Sequence, residues 1–124
     1  MRVITKASTV GIYVSDQDRA LDFYTSKLGF EKLTDEPMGE GARWIEVAPQ
    51  GAETRLVLFT PPGQEDRIGT FSNVVLSCDD IEATYKQLKD RGVEFTEEPS
   101  EQPWGTWAQF RDQDGNEFGL IEAG

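Results

Sequence analysis

Two tryptophan–glutamate pairs in this chain of 124 residues have the side chains needed for ligand binding or acid–base chemistry. Trp44 precedes Glu46 by two residues within ARWIEVA (42–48), and Trp107 shares the segment 104–122 with Glu117. An indole ring stacks on flat or cationic ligands, and an apolar neighbourhood raises the pKa of a carboxyl group towards the range of a general acid or base. Both pairs predict a small-molecule site, and Glu46 and Glu117 are the candidate catalytic residues if the protein is an enzyme.

The chain contains no histidine, and this absence limits its chemistry. Histidine is the usual proton shuttle near neutral pH and the commonest metal ligand. The frequent zinc sites and Ser-His-Asp catalysis are therefore excluded, and a metal would need oxygen ligands or the single Cys78. Cys78 falls on the predicted helix-facing side of its strand, which favours a buried, unreactive thiol over a nucleophile.

The composition is that of one acidic domain. Acidic residues number 23 against 12 basic ones, for a formal net charge of −11, and no stretch concentrates Lys and Arg. No nucleic-acid partner and no membrane partner are therefore expected, whereas a cationic ligand is attracted at long range. No apolar run approaches membrane length, and one cysteine allows no intrachain disulfide, so the composition predicts a soluble protein with a cytoplasmic location.

The order of predicted elements occurs twice, as a strand, a helix and three strands. Alternating apolar residues, separated by clusters of Gly, Pro and Asp, place the strands near 8–14, 30–35, 42–48, 54–60, 72–78, 93–97, 105–111 and 116–122. The segment 61–70 is the predicted linker. The pattern predicts an α+β fold in which residues 1–124 form a single domain of two βαβββ modules, about 1–61 and 70–124.

Helix signals follow the first strand of each half. Ser15 or Asp16 caps a helix predicted over 16–28. Asp79 and Glu82 resemble a capping box for the second helix. A glycine ends each helix, namely Gly29 and Gly92.

Three stretches resemble the vicinal oxygen chelate superfamily, also called the glyoxalase, bleomycin-resistance and extradiol-dioxygenase family. They are VGIYVSDQDRALDFYTSKLGFEKL (10–33), VVLSCDDIEATYKQLKDRGVEF (74–95) and WGTWAQFRDQDGNEFGLIE (104–122). In the third stretch, Gln113 replaces the proline of the family's usual Asp-Pro-Asp-Gly-Asn. The resemblance spans nearly the whole chain and implies paired βαβββ modules whose mixed sheets curl into a cup, with the helices on the convex side.

Metal-dependent members of this family hold a divalent ion with His, Glu or Gln side chains from four strands. The resemblance places these positions at Thr9, near Leu58, at Asn73 and at Gly119. Leu and Gly offer no ligating side chain, and Thr and Asn are weak neutral donors, so we expect neither a metal nor a cofactor. The acidic run 112–117 is interpreted as a tight Asp-Gly turn rather than a calcium loop.

Alternation also assigns the side chains that should line the cup. On 42–48 either parity is possible, but Ile45 and Val47 resemble core residues and leave Trp44 and Glu46 for the cup. On the strand at 54–60 it gives Leu56, Leu58 and Thr60, with Val57 and Phe59 facing the helix. The predicted ligand-binding residues are Thr9, Tyr13, Trp44, Glu46, Leu58, Asn73, Trp107, Gln109 and Glu117. Gly119 remains open to two interpretations, room for a ligand or close packing against a neighbour.

The leading functional hypothesis is a metal-independent binding protein that captures a small aromatic or cationic compound. The resemblance supports it, because antibiotic-sequestering members of the family act by binding alone in an aromatic-lined acidic cleft. The alternatives are a metal-independent lyase or isomerase with a carboxylate base, and an interaction module whose tryptophans fill its own cup or a dimer interface. The resemblance further implies a homodimer, which is also the commonest oligomer.

Overall fold

The computed structural model of the protein describes residues 1–123, which form eight strands and two main helices. In chain order these are β1 (Thr9–Ile12), α1 (Gln17–Asp22), β2 (Glu31–Gly39), β3 (Ala42–Ala48), β4 (Arg55–Leu58), β5 (Phe71–Cys78), α2 (Ile81–Asp90), β6 (Glu94–Gln102), β7 (Gly105–Arg111) and β8 (Glu117–Glu122). A π-helical turn, Phe23–Lys27, continues α1, and a 3₁₀ turn lies at Glu65–Arg67. The predicted order of elements is confirmed in both halves.

The strands form two four-stranded mixed sheets, ordered β1-β4-β3-β2 and β5-β8-β7-β6. β1 pairs in parallel with β4, and β5 pairs in parallel with β8. The other neighbouring strands are antiparallel. The chain divides into two compact units, Met1–Arg67 and the chain from Ile68 onward, so the division falls within the segment 61–70. The predicted α+β fold of two βαβββ modules is confirmed.

The core of the first unit lies between its sheet and α1. Ile12 pairs with Leu58 in the parallel register of β1 and β4, so the two side chains point to the same face. Both are buried, as is Ala20 of α1, the helix that contacts β3 and β4. Gln17 of α1 adds polar contacts, since its side-chain amide donates to the backbone carbonyls of Arg43 and Leu58.

This register corrects the predicted orientation of β4. Leu56 and Leu58 were assigned to the concave face, which is wrong, because Leu58 is 0% exposed and lies on the side that faces α1. Val57 pairs with Gly11 and therefore points to the opposite face. The run Leu56–Phe59 is apolar throughout, so the sequence contains no alternation from which its orientation follows.

The second unit has an aromatic core between its sheet and α2. Phe110 pairs with Phe118 across β7 and β8, and their rings stack with centroids 5.5 Å apart. Phe95 of β6 contacts Phe110 on one side and Tyr85 of α2 on the other. The predicted alternation of β7 and β8 is confirmed. Polar residues stand next to Phe110 and Phe118 in sequence, so they show which side chains of each strand face the helix.

The start of α2 differs from the prediction. Asp80, rather than Asp79, is the capping residue, and its carboxylate accepts a hydrogen bond from the backbone N–H of Ala83 at 3.1 Å. The carboxylate of Glu122, at the end of β8, accepts from the N–H of Ile81 at 3.0 Å. The predicted capping box is therefore wrong. The second side-chain acceptor at the start of α2 is Glu122, which comes from a strand distant in sequence.

A buried polar turn joins β7 to β8. Asp112 and Asn116 are only 7% and 3% exposed. The Asp112 carboxylate accepts from the backbone N–H groups of Asp114 and Asn116, each at 2.9 Å, and from the Asn116 amide at 2.8 Å. Asn116 in turn accepts from the N–H of Gly69 at 2.7 Å. The acidic run is therefore a turn, as predicted, and the Asp112 carboxylate bonds to local backbone.

None of the helices in the described part of the chain, residues 1–123, has the length and apolar character needed to cross a membrane.

Candidate functional site

Each sheet has one face towards its helix and one away from it, which we call its distal face. Cross-strand register defines the first distal face, since Thr34 and Val57 both pair with Glu46, and Thr9 pairs with Arg55. Its members are Thr9, Gly11, Thr34, Trp44, Glu46, Arg55 and Val57. Thr9, Trp44 and Glu46 therefore lie on the face that alternation assigned to them, whereas Leu58 belongs to the core.

Glu46 lies at the centre of a charged network on the first distal face. Its Oε1 accepts from Arg55 Nη1 at 2.8 Å and from the Thr34 hydroxyl at 3.2 Å. Its Oε2 accepts from the indole Nε1 of Trp44 at 2.9 Å. Both carboxylate oxygens are thus engaged, and the same hydrogen bond holds the Trp44 ring in place.

The network corrects the expected ionisation of Glu46. The Arg55 guanidinium, followed by the Trp44 indole, holds the pKa of Glu46 below its ordinary value. Burial acts in the opposite direction but is outweighed. The expectation that tryptophan raises this pKa is therefore wrong, because the indole presents its N–H donor to the carboxylate and not only an apolar surface. A carboxylate stabilised in this way is a poor general base.

Substitution of Glu46 with glutamine is expected to destabilise the protein at neutral pH and progressively less in acid. Because the pKa is lower in the folded than in the unfolded state, the stabilisation is present above the unfolded pKa and is lost as the pH falls through the folded pKa. Denaturant unfolding between about pH 7 and about pH 3 measures the difference. Glu53→Gln, at an exposed glutamate outside the network, is the control. A Glu46→Gln effect that stays constant over this range would contradict the assignment.

The second distal face is built in the same way from β5, β7 and β8. Gln109 pairs with Gly119, and Arg111 pairs with Glu117. Its members are Val75, Trp107, Gln109, Arg111, Glu117, Gly119 and Ile121. Trp107, Gln109 and Glu117 lie on the face to which alternation assigned them, and the structure brings the last two together, with Gln109 Nε2 donating to Glu117 at 3.4 Å.

The indole of Trp107 lies directly over Gly119. A Cβ atom added at Gly119 would come within 2.8 Å of both Cζ2 and Cζ3 of the indole, and closer still to Cη2. These separations are shorter than real Cβ contacts, so the six-membered ring occupies the space that a side chain at this position would need. Of the two interpretations of Gly119, close packing is confirmed. The position at which the family resemblance expects a glutamate ligand is covered by the ring.

A polar groove of about 420 Å³ lies at the β7–β8 turn end of the second unit. It is lined by Gly69, Glu94, Arg111, Asp112, Gln113, Gly115 and Glu117. Arg111 lies between two carboxylates, with Nη1 donating to Glu94 at 2.8 Å and Nε 3.8 Å from an oxygen of Glu117. The groove therefore has a mixed electrostatic character, with one guanidinium and more than one acidic group.

Of the remaining predicted residues, Tyr13 lies beside Gly11 at the first distal face, and Asn73 lies on β5. Tyr13 follows the end of β1, and its ring is 3.6 Å from where a Cβ at Gly11 would be. Asn73 is exposed and has a φ of 65°, at an irregularity in the pairing of β5 with β8. Asparagine tolerates this left-handed conformation better than most residues.

Sequence reasoning missed Arg55, which pairs with Glu46, and it missed the pairing of Arg111 with Glu117. The sequence contains a signal for these ion pairs, namely opposite charges on two predicted strands. This signal can be used only when the order of the strands in the sheet is known.

The two distal faces have corresponding positions. Val57 lies beside Gly11 and Glu46, as Gly119 lies beside Val75 and Gln109. Val57 is therefore the first-half counterpart of Gly119, one residue from the Leu58 position suggested by the resemblance.

The residues at the four family positions do not fit a transition-metal ion. Val57 and Gly119 provide no donor atom, and Thr9 and Asn73 provide only weak neutral oxygen donors. Burial raises the pKa of the Cys78 thiol, which disfavours the thiolate that binds metals. Within residues 1–123, no three His, Cys, Asp or Glu side chains are grouped so that they could hold an ion.

Comparison with known proteins identifies related sequences and folds. The family model described as "Glyoxalase/Bleomycin resistance protein/Dioxygenase superfamily" matches residues 6–120. YetH, an uncharacterised protein of Bacillus subtilis, is 46% identical over 120 residues, which are 97% of this chain and 100% of YetH.

Two solved structures are similar over almost the whole chain. A glyoxalase/bleomycin resistance protein/dioxygenase superfamily member from Sphaerobacter thermophilus has a TM-score of 0.91 and 40% identity, over 98% of this chain and 100% of that one. TnmS3, an antibiotic binding protein from Streptomyces sp. CB03234, has a TM-score of 0.88 and 38% identity, over 100% of both chains.

Proposed function

Because the chain belongs to the glyoxalase/bleomycin resistance protein/dioxygenase superfamily, we propose that it is a metal-independent binding protein for a small aromatic or cationic compound. Trp44 and Trp107 provide the stacking surfaces. The observation that carries the proposal is that each indole is held on a distal face by its own sheet. Trp44 donates to Glu46, and Trp107 packs on Gly119. Rings that are already ordered lose little conformational entropy when a ligand binds.

Two further observations support this class of function. TnmS3, which is similar over the full length, is an antibiotic binding protein. The net charge of −11 attracts cations at long range, and the acidic groups around Arg111 extend this preference to the groove.

The alternative of a metal-independent lyase or isomerase now depends on Glu117. Glu46 is a poor base, because Arg55 and Trp44 stabilise its ionised form. Glu117 lines the groove and is 27% exposed, so of the two predicted catalytic carboxylates it is the one within reach of a bound molecule. Loss of a catalytic activity in Glu117→Gln, with ligand affinity retained, would favour an enzyme over a binding protein.

The expected homodimer and cytoplasmic location belong to the same proposal. Two-fold assembly is the commonest oligomeric arrangement, and a single half-buried cysteine suits a reducing compartment. Sedimentation of the binding-assay samples tests the first point, since a species near the chain mass of 13.9 kDa alone would contradict a dimer.

Alanine substitution of Trp44 or Trp107 is expected to weaken binding of proflavine, a flat three-ring cation, about tenfold, because each removes a stacking surface. Calorimetric titration measures the affinity, and circular dichroism verifies the fold. Trp104→Ala is the matched control, because this tryptophan is 62% exposed and lies between β6 and β7, outside both distal faces. Anthracene carboxylate, which is flat but anionic, should bind more weakly than proflavine, and high salt should reduce the difference. Full affinity in both folded tryptophan variants would refute the proposal.

A further inference from the structure

We propose that Gly119 is a specificity-determining position, which holds the Trp107 indole flat on the sheet and so selects flat polycyclic ligands over compact ones. This inference rests on the proposed function, because it assigns a preference to one of the two stacking surfaces. Gly119 acts through Trp107 and is therefore a positioning residue rather than a contact residue.

The backbone at position 119 does not itself require glycine. Gly119 lies within β8, paired with Gln109 on one side and Val75 on the other, and it is not among the residues with a positive φ. An ordinary side chain would fit this extended backbone. The three atoms nearest to an added Cβ all belong to the indole of Trp107, and Cζ2 and Cζ3 would both lie 2.8 Å from it.

The two halves of the chain hold their tryptophans differently. In the first half the counterpart of Gly119 is Val57, which carries a side chain, and Trp44 is tied by its N–H to Glu46 at 2.9 Å. In the second half the counterpart of Glu46 is Gln109, whose amide donates to Glu117. Contact with bare backbone at Gly119 is therefore the observed restraint on Trp107.

The indole of Trp107 offers a ligand the ring face that points away from Gly119. One face of the ring lies against Gly119, which is buried, while Trp107 itself is only half-buried. The outer face is the surface on which a planar ring system stacks with full overlap. A methyl group at position 119 would tilt the ring away from the sheet and present its edge. The edge offers a planar ligand less contact area than the face does, whereas a compact ligand loses little contact.

The test compares two cationic probes of different shape, flat proflavine and the compact cage amine amantadine. Gly119→Ala is expected to reduce proflavine affinity about tenfold while changing amantadine affinity little, so that the ratio of the two affinities falls. Trp104→Ala, which removes a ring outside both distal faces, should leave the ratio unchanged. Acrylamide quenching in a Trp44→Phe, Trp104→Phe background reports Trp107 alone and should increase in Gly119→Ala.

A double-mutant cycle keeps the inference testable if Gly119→Ala folds poorly. The phenylalanine ring is shorter than indole and lacks the atoms that meet position 119, so Gly119→Ala should have little effect on folding or on the affinity ratio in a Trp107→Phe background. Recovery of folding there supports the inference, and a double variant that remains unfolded overturns it.

The outcomes also separate this inference from the proposed function. If Trp107→Ala loses proflavine binding while Gly119→Ala retains the wild-type ratio, Gly119 does not determine specificity and the binding function stands. If neither Trp44→Ala nor Trp107→Ala affects binding, the proposed function itself fails.

Discussion

Phe118→Ala is expected to lower the free energy of unfolding by roughly 3–5 kcal/mol, the range for removing a fully buried aromatic ring. Phe118 is 0% exposed and stacks on Phe110 with an interplanar angle of 13°. Phe110 in turn contacts Phe95, which contacts Tyr85 of α2. Removing one ring therefore leaves a cavity at the point where sheet and helix are joined.

Equilibrium denaturation monitored by circular dichroism measures this loss. Because domains of this size are stable by about 5–15 kcal/mol, the variant should lose a large share of its free energy of unfolding. Phe71→Ala is the matched control, since Phe71 is 39% exposed on β5 and should cost far less. A loss for Phe118→Ala no greater than for Phe71→Ala would mean that the aromatic stack does not hold this unit together.

Asp112→Ala is expected to cost about 3 kcal/mol, because it leaves several buried donors without their acceptor. The carboxylate of Asp112 binds the backbone N–H groups of Asp114 and Asn116, and it also binds the Asn116 amide. Asn116 contacts the backbone of Gly69, at the start of the second unit. The substitution therefore disturbs both the β7–β8 turn and the chain segment that leads into β5.

Asp79→Ala separates this effect from the loss of a negative charge. Asp79 is exposed and does not cap α2, so its removal should change the free energy of unfolding by about 0.5 kcal/mol or less. Thermal and denaturant unfolding of the two alanine variants provide the comparison. Equal stability of the Asp112 and Asp79 variants would refute the structural role of the turn.

The order of elements and many of their boundaries could be predicted from local sequence patterns. The predicted strands 42–48 and 105–111 match β3 and β7 residue for residue. A strand of this kind can be recognised from local composition and the two-residue period, without its neighbours. Alternation assigned Trp107 and Gln109 to the face that they occupy. On 42–48 either parity was possible, and Trp44 and Glu46 were assigned because Ile45 and Val47 resemble core residues.

Strand length was predicted less well at the sheet edges. The predicted strands 30–35 and 93–97 extend to Gly39 and Gln102, as β2 and β6. Each contains acidic residues followed by a proline, Pro37 or Pro99, which are poor strand formers in isolation. Both strands lie at an edge of their sheet, where proline is tolerated because one side of the backbone needs no partner.

The orientation of β4, the ionisation of Glu46 and the role of Gly119 could be established only from the contacts between strands. The apolar run in β4 has no alternation, so its pairing with β1 and β3 sets which side is buried. The pKa of Glu46 depends on Arg55, which is nine residues away in sequence but lies beside it on the neighbouring strand. Gly119 and Trp107 meet only when β7 and β8 pair. Each of these features depends on contacts between strands, which the local sequence pattern does not contain.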